Sequence, residues 1–469
     1  MVDKESFRRH GYQFIDWLAD YFEEVEKYPV RSTLKPGEVK DALPGGPPLQ
    51  GESMDIIFDD FQKIIVPGIT HWQHPGWFAY FPANNSPASV LAELLTAGIG
   101  AQCMIWQTSP AATELEEVVM RWLAQMIGLP ESMSGVIQDT ASTATLCALL
   151  TAREKATSYE ANRTGLRRPL CVYTSEEGHS SIDKDVKIAG YGTDYLRHIP
   201  TDRNFAMIPS ELEKAIEKDR AQGLEPACVI GTIGTTSSTA VDPLSEIGSI
   251  CRRHGLFFHV DAAYGGTAAL LEENKDLLAG AEDFDSFVFN PHKWMLTNFD
   301  CSAYFVKDEE ALTRTFEIHP EYLKTGLDAE VKNYRDWGIQ LGRRFRALKL
   351  WFVIRSYGVE GLRDLVREHL RLAGLFKKLV DEDERFEVMA PVRFSLVCFR
   401  YKKPGASEQE LARLNAALLE KINRSGRVFL THTSLKGSYT IRMAIGQRTT
   451  TEKHVRQAWD LISKSAAEL

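Results

Sequence analysis

The sequence predicts an α/β protein with a mostly parallel central sheet flanked by helices, and three observations predict it. Short apolar runs rich in Val, Ile and Phe recur from about residue 86 to 306. They alternate with segments of helical periodicity, and turns of small or polar residues follow them, as at Gly234-Thr235-Thr236, Asp261-Ala262-Ala263 and Asn290-Pro291-His292-Lys293. Strands that alternate with helices pair in parallel, because each helix carries the chain back across the sheet. Ligands then bind beyond the carboxyl ends of the strands.

Taken in order, residues 4–27 place Phe7, Gly11, Phe14, Ile15, Leu18, Tyr21, Phe22 and Val25 on one stripe, which predicts an amphipathic helix. A Pro/Gly-rich stretch over 29–51 and a second amphipathic piece over 53–66 follow, so the first eighty or so residues carry no evident core of their own. An arm wrapping another subunit would cover the stripe, as would packing on its own body. Asp and Glu crowd the polar face, which argues against a membrane-surface role. Strands are expected at 170–173, 227–233, 256–260 and 286–289, and helices at 112–127, 142–157, 209–222 and 244–254. Residues 343–357 read as a buried linking helix. A small α+β end follows, with strands at 394–401, 427–431 and 439–444 and helices at 408–423 and 451–467. The expected division is an N-terminal helical arm (1–85), a large α/β domain (86–350) and a small C-terminal α+β domain with its linking helix (351–469).

Composition sets the class. At 469 residues the chain exceeds one compact core. Its 44% hydrophobic and 25% charged residues are those of a globular protein. A formal charge of -9 gives no general attraction to polyanions, so no nucleic-acid partner is expected. No apolar run approaches the roughly 20 residues that span a bilayer, and no basic and apolar leader opens the chain. A cytoplasmic protein with no membrane partner is the expectation. The seven cysteines include no Cys-x-x-Cys pair and read as reduced, buried small hydrophobes.

The chemistry concentrates at strand ends. Lys293 follows the apolar run 284–289, and Asp261 follows 256–260. A partly buried amine is a nucleophile for an aldehyde, and a carboxylate can pair with a protonated ring nitrogen. Asp139 to Thr145, after Val136 and Ile137, open a helix with small hydroxyl residues, a natural anion site. Thr235 and Thr236 form a second hydroxyl-bearing turn, and His179 lies where an imidazole could stack over a cofactor ring and touch a substrate carboxylate. Singly, each has a plainer reading: a surface lysine, a turn-capping Asp, an ordinary N-cap, a solvated His. Together they describe a pocket for an aldehyde cofactor. His71 and His74 do not make a metal pair, because Pro75 interrupts the helix that would align them and no acidic or Cys ligands cluster nearby. No metal is expected.

The segments Asn290-Pro291-His292-Lys293-Trp294, His259-Val260-Asp261-Ala262-Ala263-Tyr264 and Phe78-Ala79-Tyr80-Phe81-Pro82 resemble those of group II pyridoxal-phosphate decarboxylases, specifically the aromatic L-amino-acid decarboxylases. The similarity runs from the first helix to about Trp459. It implies a fold-type I enzyme that binds pyridoxal 5'-phosphate and works as an obligate homodimer, with active sites at the subunit interface and the arm extending over the partner. It implies that Lys293 joins the cofactor, Asp261 binds the ring nitrogen, His179 stacks on the ring and Ala263 packs beneath it. Ala141, Ser142, Asn290 and His292 would hold the phosphate, with Thr236 close by.

The segment 316–324 matches the family's flexible catalytic loop, and Tyr322 takes the place of the tyrosine that protonates the substrate's α-carbon. In related aldehyde synthases that position is phenylalanine, or asparagine replaces the stacking histidine; here both decarboxylase residues are present, implying amine and carbon dioxide as products. Trp72, Tyr80, Phe81 and Pro82 match an aromatic-lined pocket, and Gly342 matches a small residue where related histidine decarboxylases carry serine. Tryptophan, tyrosine, phenylalanine or hydroxylated relatives are the implied substrates. Ala83 stands where a threonine would contact ring hydroxyls, and Gln102 and Met104 replace apolar and aromatic residues reaching across the dimer, so no strong catechol preference is expected. Competing readings are a decarboxylation-dependent aldehyde synthase, a decarboxylase for acidic or sulfur-containing amino acids, an aminotransferase and a catalytically silent scaffold.

Overall fold

The computed structural model describes residues 2–318, 326–327 and 330–469. The chain divides into two compact units, one of Met1–Pro82, Leu375–Glu387 and Phe399–Leu469, the other of Ala83–Gly374 and Val388–Cys398.

The larger unit carries strands β1 (Ser134–Gln138), β2 (Leu170–Ser175), β3 (Leu196–Ile199), β4 (Glu225–Thr232), β5 (Phe257–Asp261), β6 (Ser286–Phe289) and β7 (Ser302–Val306). They form a sheet in the order β1-β7-β6-β5-β4-β2-β3. From β3 to β6 every pairing is parallel, and β7 runs antiparallel to both β6 and β1. Both β2 and β5 are buried at every position, which is why they read as unbroken apolar runs: helices cover both faces. The helix Ala141–Ala156 lies against the sheet through Ala144, Cys147 and Ala148, packed in one core with Val172, Ile230 and Val288.

Register places the chemistry on one edge. Thr232, Asp261 and Val288 stand opposite one another at the carboxyl ends of β4, β5 and β6. Phe289 faces Ala303 of β7, and Gln138 at the end of β1 faces Ser302. The turns after β1, β2, β4, β5 and β6, and the entry to β7, therefore open on the same edge of the sheet.

The expected strand and helix positions recur within a few residues, with two differences in extent. The helix foreseen over 343–357 runs instead from Arg346 to Asp381, broken at Gly358, whose φ of 65° and ψ of 170° leave the helical region. It cannot begin at Arg343, because that residue's carbonyl accepts from Cys103 N–H (3.0 Å) and its N–H donates to Gln102 Oε1 (2.7 Å). The strand foreseen at 427–431 is reduced to a bridge between Phe429 and Trp77, and the strand itself begins only at Thr431. A four-stranded sheet in the order β10-β11-β9-β8 is formed by β8 (Phe386–Val388), β9 (Leu396–Tyr401), β10 (Thr431–Leu435) and β11 (Ser438–Ala444). Its β10 and β11 form an antiparallel hairpin turned at Lys436 and Gly437, both with positive φ.

In the smaller unit, Asp3 caps the helix Lys4–Glu24 by accepting from Ser6 N–H (2.8 Å). Phe14 packs on Phe58 (4.6 Å between rings) and Trp17 on Phe61 (5.2 Å), so the first helix and the piece beginning at Met54 share a small aromatic core. The N-terminal part of its stripe is uncovered, with Phe7 70% and Ile15 40% exposed, whereas Val25 at its far end is buried. His71 is engaged by the Tyr21 hydroxyl (2.9 Å) and the Tyr28 ring (4.7 Å), and His74 Nδ1 accepts from Gly76 N–H (2.8 Å). Both imidazoles thus serve local packing.

Candidate active site

Lys293 lies in the short turn Pro291–Trp294 that follows β6, half-buried, and its backbone is held at both ends. Its N–H donates to Asn290 O (2.9 Å) and its carbonyl accepts from Asn84 Nδ2 (3.0 Å). Trp294 next to it is fully buried, stacked on Tyr264 at 4.7 Å and donating its indole N–H to His369 Nδ1 (2.8 Å). Tyr264 in turn bonds the Ser395 hydroxyl.

Asp261, 6% exposed, ends β5 and accepts from Ala263 N–H (2.9 Å), which turns the carboxylate toward the strand edge. The turn beyond it is tight. A Cβ on Gly265 would come 2.5 Å from Ile233 O, so only glycine lets this chain pass the end of β4. Two residues before Asp261, His259 is completely buried between Thr145 Oγ1 (3.1 Å) and Ser286 Oγ (2.8 Å). Burial pushes its pKa down to about 4, so it is a neutral tie between β5, β6 and the helix Ala141–Ala156.

His179 follows β2, with its ring open on one side and its Nδ1 side fixed. Ser181 N–H points at Nδ1 (3.1 Å) and the Ser181 hydroxyl lies 2.8 Å away. A backbone N–H can only donate, so Nδ1 is the acceptor and Nε2 carries the proton. Burial lowers the His179 pKa; Asp261 opposes the shift, and Lys293 adds to it. These charges act on His179 because all three residues gather at the same strand edge. A neutral imidazole with an outward N–H donor results.

Three segments carry the groups expected to meet an anion. Thr140 caps the helix Ala141–Ala156, its hydroxyl accepting from Thr143 N–H (3.3 Å), and no acidic residue stands in the first turn. The backbone N–H groups of Ala141 and Ser142 are thus presented to an anion. Ser302 Oγ donates to Asn290 Oδ1 (2.6 Å), leaving Nδ2 as that amide's donor. Cys301 N–H donates to His292 Nδ1 (3.0 Å), which fixes the proton on Nε2, and burial holds the His292 pKa at about 3. A buried neutral imidazole, an amide and a helix N-terminus, all donors, suit a phosphate.

Gln102, Met104 and Gly342 come together at another point of the larger unit. A Cβ on Gly342 would lie 3.4 Å from Gln102 Nε2, and Met104 O accepts from Arg335 N–H (2.8 Å). Behind them Arg343 grips Glu116 through two bonds (2.6 and 3.2 Å), both side chains under 10% exposed. Glu116 also accepts from Ile137 N–H (2.8 Å), and Arg343 donates to Ile137 O (2.9 Å). The pair therefore ties the Gln102 segment to the end of β1, which leads into the anion-binding turn. Glu116→Ala leaves a buried guanidinium unpaired and is expected to lower unfolding free energy by about 3–5 kcal/mol. Urea denaturation of the variant measures the loss, and the double variant Glu116→Leu/Arg343→Met is expected to recover most of it.

Ala83 is half-buried at the start of the larger unit, and Thr236 is exposed after β4. Trp72, Tyr80, Phe81 and Pro82 belong to the smaller unit. There Trp72 stacks on Tyr80 (5.9 Å), whose φ is 53°, and Arg442 lies over Phe81 (5.3 Å). Pro82 is buried against Gly446. Tyr322 lies outside the described residues. Sequence reasoning missed Asn84, Ser181, Ser302 and the partners of His259. Polar residues inside apolar runs, as with His259, Ser286 and Ser302, were the available signal, because a buried polar group must find a partner.

Known proteins match this chain along its length. Residues 36–402 match the pyridoxal-dependent decarboxylase conserved domain. Tyrosine decarboxylase 2 of Narcissus pseudonarcissus is 44% identical over 480 residues, covering 100% of this chain and 95% of that protein. Phenylacetaldehyde synthase of Arabidopsis thaliana is 43% identical over 478 residues, covering 100% and 97%. Among solved structures, Oryza sativa TDC with PLP and tryptamine superposes with a TM-score of 0.96 at 37% identity, covering 100% of this chain and 99% of that one.

Proposed function

This chain belongs to the pyridoxal-dependent decarboxylase family, and we propose that it converts aromatic L-amino acids to the corresponding amine and carbon dioxide at the strand edge that carries Lys293. It is a pyridoxal-phosphate-dependent carboxy-lyase of aromatic amino acids. The observation that carries the assignment of the site is that Asp261 and Lys293, at the ends of adjacent strands, both lie within electrostatic reach of His179. When bound, pyridoxal phosphate supplies an aldehyde for covalent attachment and a protonated ring that takes up the electron pair left by departing carbon dioxide.

The chain's own groups do the rest. Lys293 Nζ would be the covalent anchor, and Asp261 would present a carboxylate to the ring nitrogen. Neutral His179 would offer its Nε2–H to the substrate carboxylate and a flat ring for stacking, and Ala263 would pack against the cofactor's other face. Ala141, Ser142, Asn290 and His292 would donate to the phosphate, with Thr236 assigned to the same cofactor. Trp72, Tyr80, Phe81 and Pro82 of the smaller unit, and Ala83, Gln102, Met104 and Gly342 of the larger, are the residues we assign to recognition of the aromatic side chain; the missing Cβ of Gly342 leaves space beside Gln102.

We further propose a homodimer, in which residues 1–85 form an arm over the partner, 86–350 the cofactor-binding domain and 351–469 the small domain. Support comes from the helix Pro87–Ile99, whose Leu91, Leu94, Leu95 and Ile99 are 48–65% exposed along one face, and from Phe7 and Ile15 of the first helix. A cytoplasmic location is supported by seven buried cysteines, none of which is joined in a disulfide among the described residues. No helix among those residues is long and apolar enough to cross a membrane.

Tyr322 is the proposed donor of the α-carbon proton, and it separates amine from aldehyde. The holoenzyme is expected to release amine and carbon dioxide in equal amounts from phenylalanine, tyrosine or tryptophan. Tyr322→Phe is expected to divert most turnover to aldehyde, consuming oxygen and water and releasing ammonia and hydrogen peroxide. Native enzyme that already yields one aldehyde per carbon dioxide would instead be an aldehyde synthase.

A further inference from the structure

A second carboxyl group lies behind the site. Asp185 stands in the helix Ser181–Ile188, four residues beyond Ser181, so it shares a helix face with the residue that fixes His179. Its side chain is 3% exposed, and Oδ2 is buried with no hydrogen-bond partner. Two hydroxyls at the end of β2, Thr174 Oγ1 and Ser175 Oγ, are likewise buried without partners. The helix packs on Ala141–Ala156, and Ile182 and Val186 on either side of Asp185 belong to the apolar core. An ionised carboxylate there would lose hydration that no hydrogen bond at Oδ2 replaces.

We propose that Asp185 is a positioning residue for the charge of the cofactor site: as a neutral acid it adds no charge to that of Asp261, and on ionising it adds a second buried anion. This rests on the assignment of Asp261 to the ring nitrogen. The titratable groups that act on Asp185 are few. Burial pushes its carboxyl up to about 7; Lys184 on the same helix opposes this, and Asp261 on β5 adds to it. From the helix Ala141–Ala156, Cys147 also faces it, but burial holds that thiol up at about 12, so it stays neutral. Ionisation of Asp185 stabilises positive charge on a nearby ring nitrogen, which alters the absorbance of bound cofactor.

The sign of the stability effect follows from the raised value. Unfolded, the carboxyl loses its proton near the ordinary 3.8, whereas folded it keeps the proton to about 7. Folding is therefore opposed by Asp185 increasingly as pH rises between those values, and by a constant amount above them. Asp185→Asn keeps the shape and removes the titration.

Three measurements test this. In infrared difference spectra of the cofactor-free protein between acid and alkaline pH, native protein is expected to show a neutral carboxylic-acid band that Asp185→Asn lacks. The melting temperature of Asp185→Asn is expected to exceed that of native protein by more at about pH 8 than at about pH 4. In the holoenzyme, the visible cofactor band is expected to change in a step near pH 7 that the variant has lost. Absence of the infrared band, or melting curves that stay parallel across pH, overturns the neutral acid. A step retained in Asp185→Asn overturns its action on the cofactor site. Failure to bind pyridoxal phosphate would instead sink the assignment of the site, leaving the infrared and melting results to stand on their own.

Discussion

Lys293→Ala is expected to yield a folded, colourless protein whose decarboxylation rate has fallen by about 10⁴-fold or more, because the covalent anchor and its proton transfers are lost together. The fold is expected to survive because the Lys293 position is held by its backbone and its neighbours. Its N–H and carbonyl are bonded to Asn290 and Asn84, and Trp294 is locked by Tyr264 and His369, none of which involves the ammonium group. The cofactor-free variant should therefore melt where native cofactor-free protein melts. Lys293→Arg is the sharper control, since it keeps the positive charge but offers no primary amine; it is expected to be as inactive as the alanine variant. Borohydride treatment of native holoenzyme should fix the cofactor mass on the peptide containing Lys293 and on neither variant. Label on a different lysine, or an active Lys293→Ala, would remove Lys293 from its role.

The sheet was legible because its strands are buried on both faces, so β2, β4, β5 and β6 stand out as apolar runs, and Asp261 and Lys293 stand out as polar residues at their ends. Strand order was not legible. It depends on which apolar edges meet, and nothing local to Ser134–Gln138 states that β1 pairs with β7. Tautomers were equally hidden. His179 and His292 are both neutral with the proton on Nε2, but the groups that decide this are backbone N–H donors of Ser181 and Cys301, placed by turn geometry rather than by side-chain type. The long helix was underestimated because Gly358 interrupts its pattern, although the chain resumes the helix immediately after it. Glu116 and Arg343 lie 227 residues apart in sequence, and no periodicity joins such a pair.

Asp261→Asn and Asp261→Ala separate charge from shape at the other end of the ring. In the native protein Asp261 Oδ1 accepts from Ala263 N–H at 2.9 Å while the residue is 6% exposed, so the carboxylate is both a turn cap and a buried negative charge. Asparagine can keep the cap through its own Oδ1 but removes the charge; alanine removes both. Losing a buried charge partner costs about 3–5 kcal/mol, so the asparagine variant is expected to retain stability and lose on the order of 10²–10³-fold in kcat. The alanine variant is expected to lose at least as much rate, and to unfold at about 1 kcal/mol lower free energy for the missing cap. The comparison has a second consequence through His179. Asp261 raises that imidazole's pKa against the lowering caused by burial and Lys293, so both substitutions are expected to lower it further. A neutral form then persists to lower pH, and the acid limb of any His179-dependent rate should shift toward acid by the same amount in both variants. Proton NMR titration of the His179 ring measures that shift directly. An unchanged His179 titration in Asp261→Asn would mean that the two side chains do not share the site, whatever happened to the rate.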